Sequence, residues 1–518
     1  MSRAAVQHGS TRARRSRLLL AAAIMSMATV PAPGAQGVPD FDVILRNGTI
    51  VDGSGGLPFR GDIGISGVRI GAVGTLRGKR GAVEIDAAGL VVAPGFINIH
   101  SHPSPAALPR AENMLTQGVT TEILNADGGG PLDIRTQLSN LQSAGLAVNV
   151  GGYIGFNSAW TSVVGSSDRR PTSAEVERMR ALITAGLEAG AWGVSAGLDY
   201  KPAYFARTAE VIDVVSAAKP WRTNFTNHDR LTPELNFSSR AGMAETMRIA
   251  EAAGLVGVVT HMKLQGHEQG SASAQLEDMR RATAGGQYVT ADVYPYLAGQ
   301  TGLGALLIPA WAQDGGRPEM LKRFADPAQR SRIAAEAEQA MKARLGSHES
   351  IYLPAIRKPL TAVMAEMQAP PGETMIRLLE ESNPSAILTF GAEEDLRRIL
   401  RYPDASVACD CGATTSTTTH PRNYGTFPRV LGRYVRDDKV LTLQDAVRKM
   451  SALPAATIGM VDRGRVAVGM MADIAVFDPK TIIDHATYEN PAAFSEGVRH
   501  VFVNGVHALK DGASTGQQ

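Results

Sequence analysis

The sequence predicts an α/β protein: a (β/α)8 TIM-like barrel with a small β-sandwich domain formed by both chain ends and an inserted subdomain. Three observations lead to this prediction. Eight short apolar runs alternate with helical segments in the middle of the chain, strand-like segments stand at both ends, and a mostly helical stretch separates the seventh run from the eighth. With 518 residues, the chain is long enough for one large and one smaller domain.

The first 35 residues have the composition of an export signal. A basic segment, TRARRSR, precedes the apolar run LLLAAAIMSMATV, and PAPGA supplies small residues before a cleavage point near Ala35. The apolar run is too short to cross a bilayer comfortably. We therefore predict a signal peptide over 1–35 and an exported protein without membrane contact after processing, periplasmic if the source is a Gram-negative bacterium.

The charge balance argues against a polyanionic partner. Of the 52 Lys and Arg residues, five lie in the first 35 positions, so the remaining chain carries 47 basic and 50 acidic side chains and a net charge of −3. Such a chain has no excess of positive charge to attract a phosphate backbone. We expect no nucleic-acid partner and a small-molecule substrate instead.

The segments at the two ends predict a shared β-domain. FDVILRNGTIVDG and GDIGISGVRIGAVG near the start, and ADIAVFDP and VRHVFVNGV near the end, read as short strands, with a hairpin turn expected at Asn47-Gly48. Neither segment is long enough for a core of its own. We expect 36–93 and 456–518 to pair into the sandwich, and 94–455 to form the barrel with an insertion at about 300–390.

The eight apolar runs are the expected barrel strands. They are FINIHSH (96–102), VTTEILNAD (119–127), AVNVGGYIG (147–155), WGVSAGLDYK (192–201), RTNFTNHD (222–229), VGVVTHMK (256–263), QYVTADVYPY (287–296) and ASVACD (405–410). Helical stretches such as PTSAEVERMRALITAGLEAG, which ends at Gly190, connect them. In a barrel of this kind the chemistry lies at the carboxyl ends of the strands.

Metal-ligating residue types stand at the ends of these runs. The residues are His100, His102, Asp127, Lys201, His228, His261 and Asp410. A lone histidine is usually a structural residue, but four of only eleven histidines end runs whose carboxyl ends converge. Imidazole nitrogens and carboxylate oxygens are ligands of Zn2+, and a hydrolytic zinc site activates water at neutral pH. Asp410 is placed to take that water's proton and pass it to the leaving nitrogen.

The order His-x-His, His, His, Asp on strands one, five, six and eight resembles the amidohydrolase superfamily. The motifs PGFINIHSH, TQGVTTEIL, WGVSAGLDY, NHDR, THMK, YPY followed by TGL, and HPRNYGTFPRVLGRYVRD are similar to those of its N-acyl-D-amino-acid deacylase (D-aminoacylase) branch. The similarity runs from about residue 40 to 508. The resemblance implies a barrel with a β-sandwich built from both chain ends, and one or two Zn2+ ions bound by His100, His102, His228, His261 and Asp410.

Two residues depart from the pattern of that branch. A cysteine ligand is typical after the second strand, where this chain has Asp127, which either ligates through oxygen or only shapes the loop LNADGGG. Lys201 ends the fourth run, and in other amidohydrolases, such as hydantoinases, a lysine there is carbamylated and bridges two metals. We therefore expect carbamylated Lys201 (N6-carboxylysine) as a bridge, with an exposed lysine or a carboxylate anchor as the alternatives.

The resemblance also implies substrate contacts. Lys263 shares a strand face with His261, and Arg422 can bind a carboxylate through two parallel hydrogen bonds. Tyr294 can donate a hydrogen bond to a developing oxyanion. Each could instead have a structural role. His420 is expected to support neighbouring residues rather than to ligate, and Asp229, Arg230 and Asp292 could orient the ligands or lie at the surface.

Cys409 and Cys411 are the chain's two cysteines. Residues two apart on a strand are poorly placed for a disulfide, so we expect small buried thiols, with a Cys-x-Cys metal site as the alternative.

The predicted function is metal-dependent cleavage of a C–N amide bond, namely the deacylation of N-acyl-D-amino acids. Alternatives with the same machinery are a dipeptidase, a cyclic amidase and a xenobiotic-amide hydrolase. From another class, a metal-free barrel with a binding role would be favoured by loss of a ligand. His100, His102, His228, His261 and Asp410 are all present.

Overall fold

Five strands begin the part of the chain that this computed structural model describes, residues 38–517. They are β1 (Phe41–Ile50), β2 (Phe59–Ser66), β3 (Arg69–Gly74), β4 (Gly81–Asp86) and β5 (Val91–Pro94). The hairpin turn predicted at Asn47-Gly48 is wrong. β1 continues through it with a shift of register against β2, and the Asn47 N–H donates to Asp62 Oδ1 at 2.9 Å. The predicted signal peptide, 1–35, lies outside the described residues.

The eight apolar runs form the parallel strands of a barrel. They are β6 (Phe96–Asn98), β7 (Val119–Leu124), β8 (Asn149–Gly152) with its continuation β9 (Ile154–Gly155), β10 (Val194–Gly197), β11 (Asn224–His228), β12 (Val256–Val259), β13 (Val289–Val293) and a last strand, Ala405–Val407. All six residues of β7 are buried, as expected of a strand covered on both faces. A parallel bridge between Ser101 and Cys411 joins the first and last runs and closes the barrel.

Helices connect and cover these strands. Those before the insertion are α1 (Glu112–Leu115), α2 (Ile134–Ala144), α3 (Phe156–Val163), α4 (Ser173–Glu188), α5 (Thr208–Val215), α6 (Ser239–Ala253) and α7 (Ala272–Ala284). In α4, Thr172 and Glu175 form a capping box, and Met179, Ile183 and Leu187 bury one face. Each such side chain stabilises the fold by about 1.5–3 kcal/mol relative to exposure.

The inserted subdomain lies between β13 and the last barrel strand. It contains β14 (Ala298–Gly302), α8 (Ala310–Gln313), α9 (Arg317–Ala325), α10 (Pro327–Leu345), β15 (Ile351–Leu353), β16 (Lys358–Pro359), α11 (Leu360–Met367), α12 (Pro371–Glu381) and β17 (Ser385–Thr389). Its strands pair in the order β14-β17-β15-β16, and its helices share an apolar cluster with them. Helix α13 (Glu393–Arg401) then leads to β18, the last barrel strand.

After the barrel the chain returns to the first sheet. The remaining elements are α14 (Arg422–Arg429), a π-helix over Val430–Asp437, α15 (Leu443–Met450), α16 (Ala452–Ile458), β19 (Ile474–Phe477), β20 (Val498–Val503), β21 (Val506–Lys510) and β22 (Ala513–Ser514). β19 pairs antiparallel with β5, so both chain ends contribute to one nine-stranded sheet. None of the helices within 38–517 combines the length and hydropathy that crossing a bilayer requires.

Candidate metal centre

All the predicted ligands except Lys201 lie at or just beyond the carboxyl ends of five barrel strands. His100 and His102 follow β6, Asp127 follows β7, His228 ends β11, His261 follows β12, and Asp410 follows β18. Parallel strands in a barrel all end at the same mouth, so residues far apart in sequence meet there. The geometry of the site follows from the topology of the barrel.

Three of these residues have left-handed backbone conformations that non-glycine residues rarely adopt. The φ angles are 56° at Asp127, 34° at His261 and 47° at Asp410. A local contact holds the turn at His261, because its N–H donates to Asp292 Oδ1 at 2.6 Å. Backbone conformations of this kind are concentrated at functional sites, where the surrounding structure enforces them.

The Asp127 carboxylate lies between all four histidines. Its Oδ1 is 3.4 Å from His100 Nε2 and 3.9 Å from His261 Nε2, and its Oδ2 is 3.5 Å from His102 Nε2 and 3.8 Å from His228 Nδ1. The histidines of strands five and six are also adjacent, with His261 Nε2 2.9 Å from His228 Nδ1. Asp127 therefore has a central place in the cluster.

Asp410 supplies a second carboxylate on one side of the cluster. Its Oδ1 is 3.3 Å from His102 Nε2 and 3.5 Å from His100 Nε2, while its Oδ2 accepts a hydrogen bond from Arg422 Nη1 at 2.7 Å. Burial alone would raise the pKa of Asp410, but Arg422 and His100 lower it well below its usual range. The carboxylate is therefore ionised at neutral pH.

These side chains fit a metal ion. The ligand atoms form two groups, and within each group all of them lie within 4.8 Å of one another. One group comes from His100, His102, Asp127 and Asp410, and the other from Asp127, His228 and His261. Within the described chain, the buried atoms His100 Nε2 and Asp127 Oδ1 form no hydrogen bond. Buried polar atoms are costly without a partner, and imidazole with carboxylate is a ligand set of Zn2+. Asp127 is common to both groups.

Asp292 orients the cluster from behind, as the sequence suggested. Its Oδ2 is 3.4 Å from His100 Nδ1, while its Oδ1 accepts from the His261 backbone. Burial opposes protonation of His100, yet the carboxylates of Asp127, Asp292 and Asp410 raise its pKa well above the usual value. Such a partner fixes which imidazole nitrogen faces a metal.

The three predicted substrate-binding residues lie beside the cluster. Lys263 lies over the Tyr294 ring, 3.7 Å from its centroid, and donates to the His261 carbonyl at 2.7 Å. The Arg422 guanidinium approaches the same ring at 4.7 Å. Burial lowers the pKa of Lys263 to about 7 and raises that of Tyr294, so the phenol stays protonated. Lys263 and Tyr294 line one cavity with His228, His261 and Asp410.

The structure does not bring Lys201 to this cluster. Its ammonium lies 3.1 Å from Glu234 Oε1 and 4.3 Å from the centroid of the Tyr204 ring, and it lines a different cavity. The physical reason is that β10 ends at Gly197, four residues earlier, so Lys201 belongs to the following loop. The expected role of Lys201 as a bridge between two metals does not fit this placement, and Asp127 occupies the central position instead.

Cys409 and Cys411 are joined by a disulfide, so the expectation of free thiols is wrong. The prediction assumed a strand, but β18 ends at Val407, and the left-handed turn at Asp410 brings the two Cα atoms within 4.9 Å of each other. That distance is ordinary for a disulfide. The Cys-x-Cys metal site is excluded by the same bond.

The remaining predicted residues have mixed outcomes. Asp229 lines the cavity, and burial raises its pKa to about 7. Arg230 instead pairs with Glu245 at 2.6 Å and has no contact with the cluster among its hydrogen bonds in the described chain. His420 supports Arg422, because its Nδ1 accepts the Arg422 backbone N–H at 3.0 Å.

Sequence reasoning missed several lining residues. Tyr200 contacts the His228 ring, and the two ring centroids lie 4.5 Å apart. The sequence interpretation assigned a role to its neighbour Lys201 and none to Tyr200. The inserted subdomain contributes Gln300, Thr301, Leu306 and Phe390 to the cavity wall. Thr301 begins the TGL motif, and the other three stand in no motif, because a cavity wall needs only shape and polarity. Tyr200 could have been found by asking which side chain after β10 faces β11.

Comparison with known proteins places this site in a family. The model of a family described as the amidohydrolase family matches residues 83–508. The chain belongs to the amidohydrolase family. D-aminoacylase from Alcaligenes xylosoxydans xylosoxydans is 31% identical over 510 residues, covering 92% of this chain and 96% of that protein. N-acyl-D-aspartate deacylase from the same organism is 32% identical over 508 residues, covering 92% and 93%.

A solved structure agrees with these relatives. The crystal structure of N-acyl-D-glutamate deacylase from Bordetella bronchiseptica, complexed with zinc and a phosphonate inhibitor that mimics the tetrahedral intermediate, has a TM-score of 0.78 and 28% identity. The match covers 92% of this chain and 98% of the chain in that crystal structure. The comparisons confirm the predicted barrel fold, the resemblance to the N-acyl-D-amino-acid deacylase branch, and the assignment to metal-dependent amidohydrolases, and zinc is the metal bound in that relative. This amidohydrolase has Asp127 at the centre of its candidate site.

Proposed function

We propose that this amidohydrolase removes the acyl group from N-acyl-D-amino acids with neutral side chains, by hydrolysis of the amide. The observation that carries the proposal is the convergence of four histidines, Asp127 and Asp410 at the barrel mouth, beside a cavity that contains Lys263. The D configuration is supported by the relatives, which are D-aminoacylase and N-acyl-D-aspartate deacylase.

The two ligand groups described above would hold the metal. When bound, Zn2+ supplies Lewis-acid activation of water and of the amide carbonyl. Asp410 Oδ1 faces that site and takes a proton from the attacking water, and the same carboxyl then gives the proton to the amide nitrogen as the C–N bond breaks. Arg422, bonded to Oδ2, keeps Oδ1 directed at the site during both transfers.

The carboxylate of the substrate is assigned to the cavity beside the cluster. Lys263 is the one Lys or Arg side chain that lines this cavity among the described residues, and the Tyr294 phenol is adjacent to it. An ammonium next to a phenol gives a carboxylate both a counter-charge and a hydrogen-bond donor. Anchoring at that point places the neighbouring amide toward Asp410.

Apart from Lys263, the side chain of the substrate faces a wall to which the described residues contribute no other Lys or Arg. Leu306 and Phe390 are apolar, and Gln265, Gln300 and Thr301 are uncharged. A second carboxylate, as in N-acyl-D-glutamate or N-acyl-D-aspartate, would be buried there without a cation, which is costly. The wall therefore favours neutral side chains such as those of leucine, methionine or glutamine.

The experiment is a panel of N-acetyl amino acids assayed with the zinc-loaded protein. The panel contains D-Leu, D-Met, D-Gln, D-Glu and D-Asp derivatives with the L-Leu derivative as the stereochemical control. We expect kcat/KM for neutral D substrates to exceed that for acidic D substrates by at least tenfold, consistent with about 1–3 kcal/mol for an unpaired polar group. Faster hydrolysis of the acidic substrates would refute the side-chain assignment, and faster hydrolysis of the L substrate would refute the D assignment.

We also propose that the protein is exported after removal of residues 1–35. The basic, apolar and small-residue segments of the first 35 positions support this. Expression of the full chain in a Gram-negative host followed by cell fractionation tests it. We expect the mature protein in the periplasmic fraction with a new amino terminus near Gln36, and a cytoplasmic protein that retains Met1 would contradict it.

A further inference from the structure

Both cysteines of the chain flank Asp410 and are joined to each other. Cys409 and Cys411 are buried, with exposed fractions of 0% and 3%, and their disulfide closes a small ring that contains Asp410. Asp410 has a φ of 47° inside that ring. Non-glycine residues seldom adopt such a conformation, aspartate less seldom than most, and the surroundings of Asp410 help to hold it there. The ring is the covalent part of those surroundings.

Hydrogen bonds attach the same ring to Asn98, the last residue of β6, and to His102 beyond it. The Cys409 N–H donates to Asn98 Oδ1 at 3.0 Å, and Asn98 Nδ2 donates to the Cys411 carbonyl at 3.3 Å. The His102 N–H donates to that carbonyl as well, at 2.9 Å. Asp410 is therefore fixed relative to His102 from both of its neighbours.

We propose that the Cys409–Cys411 disulfide is a positioning element of the hydrolase. It holds the Asp410 backbone in the left-handed turn that directs Oδ1 toward His100 and His102, and opening the ring lets Asp410 leave that position. The inference rests on the proposed function for its effect on turnover, but the placement of Asp410 can be measured independently. An oxidising compartment, as expected for an exported protein, would keep the bond formed.

We expect a small thiol to reach the bond from the cavity. Cys411 lines a cavity at the barrel mouth with His102, Asp127 and Arg422, whereas Cys409 does not. A small thiolate attacks Cys411 Sγ, forming a mixed disulfide, and Cys409 leaves as a thiolate that takes up a proton. A second thiolate attacks the small-molecule sulfur of the mixed disulfide and releases Cys411 as a thiolate, which is protonated in turn. Two small thiols are oxidised to one disulfide, and one protein disulfide is reduced to two thiols.

The test compares the wild-type protein with the double variant Cys409→Ala/Cys411→Ala, each before and after 2-mercaptoethanol and desalting. Because the chain has two cysteines, a thiol titration reports on this bond alone. We expect no titratable thiol in the wild type before reduction and two per chain afterwards. With the best substrate of the panel, kcat of the reduced wild type and of the double variant should fall at least tenfold while KM changes less than threefold.

Reoxidation with hydroxyethyl disulfide should restore the wild type only. The double variant, which has no thiol, is the matched control for metal removal by the reductant, and its rate should not respond to treatment. The visible absorption of Co2+-loaded protein supplies a readout besides activity. We expect its spectrum to change on reduction of the wild type and to match that of the double variant, because Asp410 leaves the metal site.

Several results would overturn the proposal. They are two free thiols in the untreated protein, an unchanged kcat and Co2+ spectrum in the double variant, and a reduced protein that loses activity only because it unfolds, as seen by circular dichroism. If the oxidised wild type hydrolyses no substrate of the panel, the proposed function fails, and the Co2+ spectra still decide whether the disulfide positions Asp410. If the thiol does not reach the bond, the double variant alone decides.

Discussion

At the scale of single residues, two carboxylates divide the work of the site. Asp127 has contacts to four histidines and none to a cationic Lys or Arg among its ion pairs in the described chain, which suits a shared metal ligand. Asp410 faces two histidines through one oxygen and binds Arg422 through the other, which suits a ligand that also moves a proton. The two aspartates should therefore respond differently to amidation.

Asp410→Asn should cost about 10²–10⁴ in kcat, the range of a lost general acid–base. Asparagine tolerates the left-handed turn, so the backbone at φ 47° is preserved, but the amide cannot accept the water's proton. Rates with N-acetyl-D-amino acids and bound zinc by elemental analysis check this. Asp404→Asn, immediately before β18 and at its opposite end from Asp410, is the control and should retain its rate. A variant within threefold of wild type would remove Asp410 as the proton carrier.

Lys201→Met should leave bound zinc unchanged and kcat within about threefold, because Lys201 contacts Glu234 and Tyr204 rather than the cluster. Glu234 keeps a partner, since it accepts the Ala310 N–H at 2.9 Å, so we expect the free energy of unfolding to fall by only about 1–3 kcal/mol. Elemental analysis and urea titration measure both. Asp127→Asn is the comparison and should lower bound zinc. Loss of metal in Lys201→Met with rescue of activity by short carboxylic acids would restore the carbamylated bridge.

The pKa of Lys263, lowered by burial to about 7, predicts a pH-dependent KM. The ammonium is charged below that pKa and neutral above it, and only the charged form attracts the substrate carboxylate. KM should therefore rise as pH increases through about 7. In Lys263→Arg the side chain stays charged, so KM should vary little between pH 6 and 9. A wild-type KM that is flat over this range would mean that Lys263 does not bind the carboxylate.

At the scale of elements, the site is a property of strand ends and of the turns that follow them. His228 is the last residue of β11, whereas Asp127, His261 and Asp410 follow their strands in left-handed turns. The backbone of such a turn needs space where it packs against the neighbouring strand. β10 provides that space because it ends in Gly197 against the Asp127 loop.

The sequence was sufficient for the strands and for the histidines, because apolar runs and a rare residue type mark both. The sequence was insufficient to predict contacts that depend on how the chain turns after a strand. The sequence favoured Lys201 as the bridge and left Asp127 as either a ligand or a loop residue, but one turn directs Asp127 inward and another leaves Lys201 beside Glu234. The Cys409–Cys411 bond was missed for the same reason, since it depends on the turn at Asp410.

Gly197→Ala should disrupt the metal site through the neighbouring element. An added Cβ would lie 2.5 Å from the Asp127 carbonyl oxygen, so the Asp127 loop must move. We expect a loss of about 1–3 kcal/mol in the free energy of unfolding, as for overpacking, together with reduced zinc content. The matched control is Gly129→Ala in the same loop, where the nearest atom is 3.9 Å from the added Cβ. Equal zinc content in the two variants would show that the Asp127 loop is not held by β10.

At the scale of the whole molecule, the cluster joins segments from residue 100 to residue 410, and the parallel bridge Ser101–Cys411 closes the barrel beside it. A ligand that binds there contacts strands one, two, five, six and eight together. Binding to the folded state alone must therefore stabilise the entire barrel rather than one loop.

Zinc should raise the unfolding temperature of the protein, and chelation should lower it. At a free zinc concentration of 100 times Kd, linkage gives about 2.7 kcal/mol of added stability. Scanning calorimetry of the chelated and zinc-loaded protein should show one cooperative transition that moves upward with metal. The shift should be absent from His100→Ala/His228→Ala, which lacks one imidazole from each group of ligand atoms. If zinc still raised the unfolding temperature of this variant, the stabilising metal would bind elsewhere. Zinc bound at the barrel mouth could not then be the cause of the shift, because the variant lacks one imidazole from each ligand group.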